Sequence, residues 1–268
     1  MSGPRPVSQQ SATTAGSSAS PSRPQRSRPG PAVGVGQTAP FHPAESGAVV
    51  AAPSPLLGEF IRALLAPEEE RVTRFVERLL EAGATPQGVF EDLFTPAARL
   101  LGQFWETDDC SFYEVTVGTG RIQRMVRELS HRFLADRSFP GSSGRILLGC
   151  APGEQHSLGL AILAEFFVRD GWDVHLTTGV GSDGLLDKVR ESEYNCVGLS
   201  VSAIDKAAVL KRETQMIRQV SRNRDIRILV GGNIITTDPG VARRVGADGY
   251  ALDAAGAVHE ARRLMAQS

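Results

Sequence analysis

The sequence predicts two folded regions of different class: a bundle of four helices, then an α/β domain on a five-stranded, doubly wound parallel sheet. Apolar residues recur with helical spacing from Pro55 to about Asp136, which is typical of packed amphipathic helices. From Gly144 onward, short apolar runs alternate with helical segments, which is typical of a parallel sheet. The expected boundaries are 1–53 for a tail, 54–138 for the helical region and 143–268 for the α/β region.

The tail, residues 1–53, is rich in Ser, Pro, Gly and Ala and lacks periodic apolar residues. Such a composition buries too little surface to offset the entropy lost on ordering, so the sequence predicts disorder. Its charged residues are Arg5, Arg23, Arg26, Arg28 and Glu45. Two interpretations stay open, an arm that contacts DNA or an acidic partner and a solvated tail. The scatter of the arginines favours the solvated tail.

Four apolar stripes predict the helices of the bundle. Their residues, in chain order, are Leu56, Leu57, Phe60, Ile61, Leu64 and Leu65; Val72, Phe75, Val76, Leu79 and Leu80; Val89, Phe90, Leu93, Phe94, Leu100, Leu101 and Phe104; and Ile122, Met125, Val126, Leu129 and Phe133. Thr85 and Pro86 are expected to start the third helix as N-cap and first helical residue. Pro96 is expected to kink that helix, because proline removes a backbone donor.

Five short apolar runs predict the strands of the sheet, at residues 145–150, 172–177, 196–201, 226–230 and 249–252. Periodic stretches such as residues 158–169 and 207–220 predict helices between them. In sheets of this kind, ligands bind at the carboxyl ends of the strands, near the point where the strand order reverses.

Composition restricts the function classes. The formal net charge of −1 gives no overall field toward nucleic acid or membranes. Three cysteines without C-x-x-C spacing are too few for a disulfide framework and suit a reducing compartment. The sequence contains neither a signal-peptide pattern nor an apolar run of membrane-spanning length, so we expect a cytoplasmic protein that does not enter membranes.

Three clusters of polar and small residues follow predicted strands, at residues 154–159, 200–202 and 231–233. A histidine in the first cluster, His156, can ligate a transition metal, and a carboxylate two residues earlier, Glu154, can orient its other ring nitrogen. Gly159 lets the backbone pass close to a bulky ligand. Each cluster alone is common in loops and turns. Together, at matching strand ends, they predict one binding site.

The three clusters resemble the cobalamin-binding domain of methionine synthase, methylmalonyl-CoA mutase and corrinoid proteins, a flavodoxin-like fold. That family has an Asp-x-His-x-x-Gly loop, a Ser-x-Thr or Ser-x-Leu pair and a Gly-Gly turn. Here they are Glu154-x-His156-x-x-Gly159, Ser200-x-Ser202 and Gly231-Gly232, and residues 246–248 repeat the family's later Gly-Ala-Asp. The resemblance implies that His156 is the lower axial cobalt ligand and that the cofactor's nucleotide tail enters the slot. Glu154 in place of aspartate is the departure.

The helical region resembles the cap that covers the upper face of the corrin in cobalamin photoreceptors and methyltransferase carriers. Leu101-Gly102-x-x-Trp105 matches the motif of the cap's tryptophan helix. Those proteins continue to a Glu-His pair, where this chain has Glu114-Val115. The implied cofactor-binding residues are Trp105, Glu154, His156, Ser157, Leu158, Gly159, Ser200, Ser202, Gly231 and Gly232, with His156 as the metal ligand.

The missing histidine and the stretch 105–123 are similar to the AerR/PpaA-type antirepressors of purple photosynthetic bacteria. That resemblance spans about residues 55–266. It implies a light-responsive regulator that binds adenosylcobalamin or hydroxocobalamin and contacts a DNA-binding repressor of photosynthesis genes of the CrtJ/PpsR type. Contact of the tail with DNA alongside that repressor stays open.

An enzyme is not expected, because a corrinoid mutase or methyltransferase normally needs a separate barrel of about 250 residues to hold its substrate. Two alternatives to the regulator stay open. One is a corrinoid carrier subunit of a methyltransferase system, and the other is a haem-binding redox sensor on the same fold.

Overall fold

Residues 54–135 form the helices that the apolar stripes predict. In a computed structural model of the protein, the described residues are 54–135, 143–152, 158–177, 182–202 and 206–267. The helical region contains α1 (Pro55–Leu65), α2 (Glu70–Glu81), α3 (Pro86–Gly88), a π-helical segment (Val89–Phe94), α4 (Thr95–Glu106) and α5 (Phe112–Ala135). Because α3, the π segment and α4 follow one another without a break, they correspond to the single third helix of the prediction.

Side-chain caps fix where two of these helices begin. The Ser54 hydroxyl accepts a hydrogen bond from the Leu57 N–H at 3.2 Å, directly before Pro55. Thr85 accepts from the Gly88 N–H at 3.0 Å, as the Thr-Pro pair predicts. The effect of Pro96 is a wider turn in the residues before it, since the Thr95 N–H donates to the carbonyl of Phe90, five residues earlier.

The α/β region contains five parallel strands in the order β2-β1-β3-β4-β5. The strands are β1 (Gly144–Cys150), β2 (Trp172–Thr177), β3 (Cys196–Ser200), β4 (Arg227–Gly231) and β5 (Gly249–Tyr250). The helices are α6 (Leu158–Arg169), α7 (Ser182–Glu191), α8 (Ala207–Val220), α9 (Asn233–Thr237), α10 (Gly240–Arg244) and α11 (Ala254–Met265). The order reverses between β1 and β3, so the predicted doubly wound sheet is confirmed and its switch point lies between these two strands.

The strand limits differ from the prediction by one or two residues. Strand β3 ends at Ser200, one residue early, and β4 runs one residue further, so that Gly231 belongs to the strand itself. Strand β5 is short and leaves Leu252 outside the sheet. Periodicity locates a strand well but not its last hydrogen bond.

The bundle packs on the face of the sheet that α6 and α11 cover. One hydrophobic core is continuous from the bundle through α6 to β1, whereas a second core lies on the opposite face beneath α7 and α8. At the joint, the Phe133 ring lies 4.8 Å from that of Phe90 and 4.9 Å from that of Phe166. All described residues belong to one contact unit, Ala44–Ser268. The boundary between residues 138 and 143 lies outside the described residues and stays a prediction.

Polar contacts cross the same joint. The Ser130 hydroxyl donates to Glu165 at 2.6 Å, and the Arg169 guanidinium donates to Gln87 at 2.6 Å. Near the carboxyl edge of the sheet, Arg99 of α4 donates to the carbonyl of Leu252 at 3.2 Å. The bundle therefore contacts the α/β region both along α6 and at the edge where ligands are expected. Within the described part of the chain, no helix combines the length and apolar character needed to cross a membrane.

Candidate cobalamin site

The ends of the central strands bring two of the predicted clusters into one row. Cys150 of β1 lies opposite Ser200 of β3, and Ser200 lies opposite Gly231 of β4. Backbone bonds extend the row by one residue, because the Ala151 N–H donates to the Ser200 carbonyl at 2.8 Å and the Val201 N–H donates to the Gly231 carbonyl at 3.0 Å. Ser200 and Gly231 thus lie at the carboxyl edge as predicted, and Ser202 follows two residues beyond the end of β3.

Gly232 occupies a position that no other residue type fits. Its φ of 101° is in the left-handed region, where a side chain is strained. A Cβ atom at this position would overlap the Val201 carbonyl oxygen and lie 2.8 Å from the Val201 nitrogen. The second glycine of the pair therefore lets the turn after β4 lie directly against the backbone that follows β3.

The histidine loop lies between the end of β1 and the start of α6. Residues 153–157, which include Glu154, His156 and Ser157, are outside the described residues, so their roles stay predictions. Leu158 is the first residue of α6 and is buried at 6% exposure. Gly159 is exposed, and a Cβ atom there would meet no atom within 4 Å. The loop is attached at the carboxyl edge, and the first turn of α6 beside it presents an open surface.

Trp105 lies in the last turn of α4 and is 49% exposed. Its indole meets the ring of Phe112, with ring centroids 5.7 Å apart and planes at 65°. The alternative of a core aromatic, which has to be considered for any tryptophan on an apolar helix, is not the one the structure has. A half-exposed indole on the bundle is available to a ligand.

Glu114, which stands where related caps have the first residue of their Glu-His pair, has a structural contact here. Its carboxylate accepts hydrogen bonds from the Ser111 N–H at 2.8 Å and the Ser111 hydroxyl at 2.7 Å. The Glu114 N–H in turn donates to the Ser111 hydroxyl at 3.3 Å, which completes a capping box at the start of α5. The next residue, Val115, is half-buried and has no ligating atom.

Comparison with protein families assigns this arrangement. A model described as a B12 binding domain matches residues 144–259, and a second model with the same description matches residues 56–130. The chain belongs to the B12-binding family. Its α/β region and its bundle thus both match cobalamin-binding domains, and cobalamin is its cofactor.

Individual relatives share both regions. A protein of Rhodobacter capsulatus described as an uncharacterized 20.5 kDa protein in the bchF-crtJ intergenic region is 25% identical over 72% of this chain and 91% of its own length. Dimethylamine corrinoid protein 3 of Methanosarcina acetivorans is 22% identical over 78% of this chain and 97% of its own. The resemblance to AerR-type proteins is confirmed by the first of these relatives.

A solved structure supports the fold. The monomethylamine corrinoid protein of Methanosarcina barkeri superposes with a TM-score of 0.61 at 14% identity, covering 78% of this chain and 98% of that one. At such low identity the likeness concerns the fold alone. It confirms the predicted architecture of a helical bundle followed by a flavodoxin-like sheet.

The carboxyl edge fits cobalamin. Ser200 offers a hydroxyl beside Gly231, which has no side chain, and the Gly232 turn adds no bulk to the mouth of the slot. Small residues of this kind leave room for the nucleotide tail while supplying backbone and hydroxyl hydrogen bonds. His156 would ligate the cobalt from the loop after β1, and Trp105 would cover the opposite face; both roles stay predictions.

The Gly-Ala-Asp motif has a structural function away from this edge. The Asp248 carboxylate accepts hydrogen bonds from the Ile228 N–H at 2.7 Å and from Arg218 at 2.9 Å. Asp248 precedes β5, so these contacts lie toward the amino ends of the strands. The motif therefore fixes β5 beside β4 and does not contact the predicted cofactor site.

Sequence reasoning missed two kinds of residue. Gly149 and Gly198 lie within central strands, where an added Cβ atom would come within 2.6 Å of Leu185 and within 2.7 Å of Leu148, respectively. Phe112 and Tyr113 at the start of α5 are exposed at 70% and 75%. The apolar pattern suggests packing for such aromatics, and nothing in it distinguishes an outward ring from an inward one.

Proposed function

We propose that this protein is a cobalamin-dependent, light-responsive regulator that relieves repression of photosynthesis genes through contact with a DNA-binding repressor of the CrtJ/PpsR type. The observation that carries the proposal is the start of α5. Glu114 is held in the capping box and Val115 replaces the histidine, so the cap supplies no imidazole there to the upper face of the cobalt. The Rhodobacter capsulatus relative encoded between bchF and crtJ adds support from its genomic position.

The response follows from two regions joined by limited contacts. A bound alkylcobalamin supplies a cobalt–carbon bond that light breaks. Trp105 on the cap senses the upper side, and the Arg99–Leu252 hydrogen bond links the same helix to the sheet edge. A ligand shifts an equilibrium between two arrangements only by as much as it binds them differently. Loss of the upper group changes the contacts of Trp105 and therefore the relative stability of the two arrangements.

A second candidate is a corrinoid carrier subunit of a methyltransferase system. The similarity to dimethylamine corrinoid protein 3 over nearly the whole of that protein favours it. A carrier must present its upper face to a methyltransferase, whereas a regulator must present a surface to a repressor. Neither function requires catalytic groups of this chain, and we propose none.

The deciding experiment uses the full chain loaded with adenosylcobalamin in the dark. Binding of the purified repressor to its promoter DNA is measured by fluorescence anisotropy, in the dark and after illumination, with added protein. We expect the repressor–DNA affinity to change upon illumination only when the cobalamin-loaded protein is present. Identical curves in dark and light, combined with transfer of a methyl group to a corrinoid-dependent methyltransferase, would establish the carrier instead.

A further inference from the structure

The turn between α4 and α5 presents an unusual surface, here called the acidic–aromatic turn and formed by Glu106, Asp108, Asp109, Phe112 and Tyr113. All five residues are exposed. Phe112 and Tyr113, at 70% and 75% exposure, have the largest exposed fractions among the large hydrophobic residues of the described chain. Adjacent aromatic rings of this exposure mark an interaction site more often than a neutral surface.

The electrostatic character of this surface is one-sided. From Leu100 to Gly120 the sequence has no lysine or arginine, whereas it has the four carboxylates of Glu106, Asp108, Asp109 and Glu114. Burial and the neighbouring Glu114 and Asp109 carboxylates raise the pKa of the Cys110 thiol, which agrees with a negative local potential. Such a potential repels phosphate groups, so DNA and anionic membranes are disfavoured as occupants.

The turn is also held rigidly. Asp108 adopts a φ of 58°, and the Asp109 N–H donates to the Phe104 carbonyl at 2.9 Å, which closes the end of α4. The Thr107 hydroxyl donates to the Asp109 carboxylate at 2.5 Å, and the Cys110 side chain is buried at 6% exposure beneath the turn. A surface fixed in this way loses little conformational entropy when a partner binds.

We propose that the acidic–aromatic turn is the docking surface for an arginine-bearing segment of the repressor, an inference that rests on the function proposed above. A guanidinium group stacks on aromatic rings and pairs with carboxylates, and this turn offers both within one short stretch. A protein that binds DNA carries basic side chains to neutralise phosphates, so its surface is complementary in charge. Docking there competes with DNA for the same side chains.

The location links docking to the state of the cofactor. The Phe112 ring contacts the Trp105 indole, the residue predicted to cover the upper face of the corrin. A change of upper ligand that moves the indole therefore changes the support of the neighbouring aromatic ring. The docking surface and the predicted sensing residue share one ring-to-ring contact.

The test measures binding of the full-length, cobalamin-loaded protein to the purified CrtJ/PpsR-type repressor, after illumination, by isothermal titration calorimetry. One double variant removes the rings, Phe112→Ala with Tyr113→Ala, and a second removes charge, Glu106→Lys with Asp108→Asn. Matched controls are Leu56→Ala, an exposed apolar residue of α1, and Glu81→Lys at the end of α2. The absorption spectrum of every variant verifies equal cobalamin occupancy.

We expect each double variant to weaken repressor binding by at least about tenfold, the range of interface anchor residues, while both controls stay near wild type. The charge variant should also lose most of the salt dependence of the affinity. If the wild-type protein binds the repressor and both double variants bind equally well, the docking surface is elsewhere and the proposed function stands. If the wild-type protein does not bind the repressor at all, the proposed function and the docking proposal are both overturned.

A different outcome would reassign the turn to the cofactor. Should the ring variant fail to take up cobalamin while the charge variant binds the repressor normally, Phe112 and Tyr113 belong to the cofactor site and the docking proposal is wrong. A fall in repressor affinity at full cobalamin occupancy excludes that explanation.

Discussion

Gly232 lies so close to the backbone of Val201 that a Cβ atom at position 232 would overlap the Val201 carbonyl oxygen. The contact joins the turn after β4 to the residue that follows β3, at the edge where the cofactor's tail is expected. Two strand ends are thereby held at a spacing that any side chain would widen. The glycine pair of the family motif thus has a packing reason that is independent of the cofactor.

Gly232→Ala should destabilise the protein and weaken cobalamin binding together. A methyl group at a φ of 101° adds backbone strain to the overlap, and we expect a loss of at least about 2 kcal/mol in the free energy of unfolding. Urea denaturation followed by circular dichroism measures it. Gly120→Ala is the matched control, because a Cβ atom at this exposed position of α5 meets no atom within 4 Å and should stabilise the helix by about 0.5–1 kcal/mol.

His156→Ala should abolish the predicted lower ligation. Metal ligands contribute more to affinity than the groups that orient them, whose loss typically costs about 10–100-fold. We therefore expect His156→Ala to weaken cobalamin binding more than Glu154→Ala does, as measured by spectral titration. The control is His259→Ala, an exposed histidine of α11. Retention of the wild-type cobalamin spectrum by purified His156→Ala would refute this ligand assignment.

The bundle and the sheet should unfold in one transition. Their shared core passes through Phe90, Phe133 and Phe166, so neither region keeps a complete core without the other. Trp105 reports on the bundle and Trp172 on the sheet. Urea curves of Trp105→Phe and Trp172→Phe, each followed by the remaining tryptophan, should show transitions of equal steepness and coincide with circular dichroism. Two resolved transitions would show that the joint is weak.

Phe133→Ala tests the same joint energetically. Removal of a fully buried ring typically costs about 3–5 kcal/mol, and Phe133→Leu, which keeps most of the volume, should cost less than about 1.5 kcal/mol. The difference between the two free energies of unfolding, taken from urea denaturation, measures the contribution of ring packing. A similar cost for both variants would mean that the three rings are not packed as described.

The cysteines should differ in reactivity. Burial, with the Asp248 carboxylate second, raises the pKa of Cys196 to about 12. At pH 8 its thiolate is therefore about a thousandfold scarcer than that of a thiol with a pKa of 9, and labelling should require unfolding. Cys110, whose pKa is also raised, should react slowly and faster in Asp109→Asn, because that carboxylate disfavours the thiolate. Cys150 is partly exposed and should react first. Mass spectrometry after brief alkylation checks this order.

The sequence alone was sufficient for the architecture and for part of the site. Helical stripes predict the bundle because each helix must bury one face, and short apolar runs predict strands that are covered on both sides. The polar and glycine residues after those runs predict the carboxyl edge, because parallel strands end at the same side of a sheet. The row of Cys150, Ser200 and Gly231 follows from that rule without knowledge of a single contact.

Side-chain direction and long-range contact were decided only by the tertiary structure. Sequence periodicity is local, so it does not state that Phe133 meets Phe166 across two regions, or that Arg99 reaches Leu252. It predicts that position 114 carries a carboxylate but not that this carboxylate caps a helix, because capping depends on where the helix begins. Fold class and candidate residues are properties of the pattern along the chain. Which rings face outward, and which backbone segments touch, depends on how distant segments pack against one another.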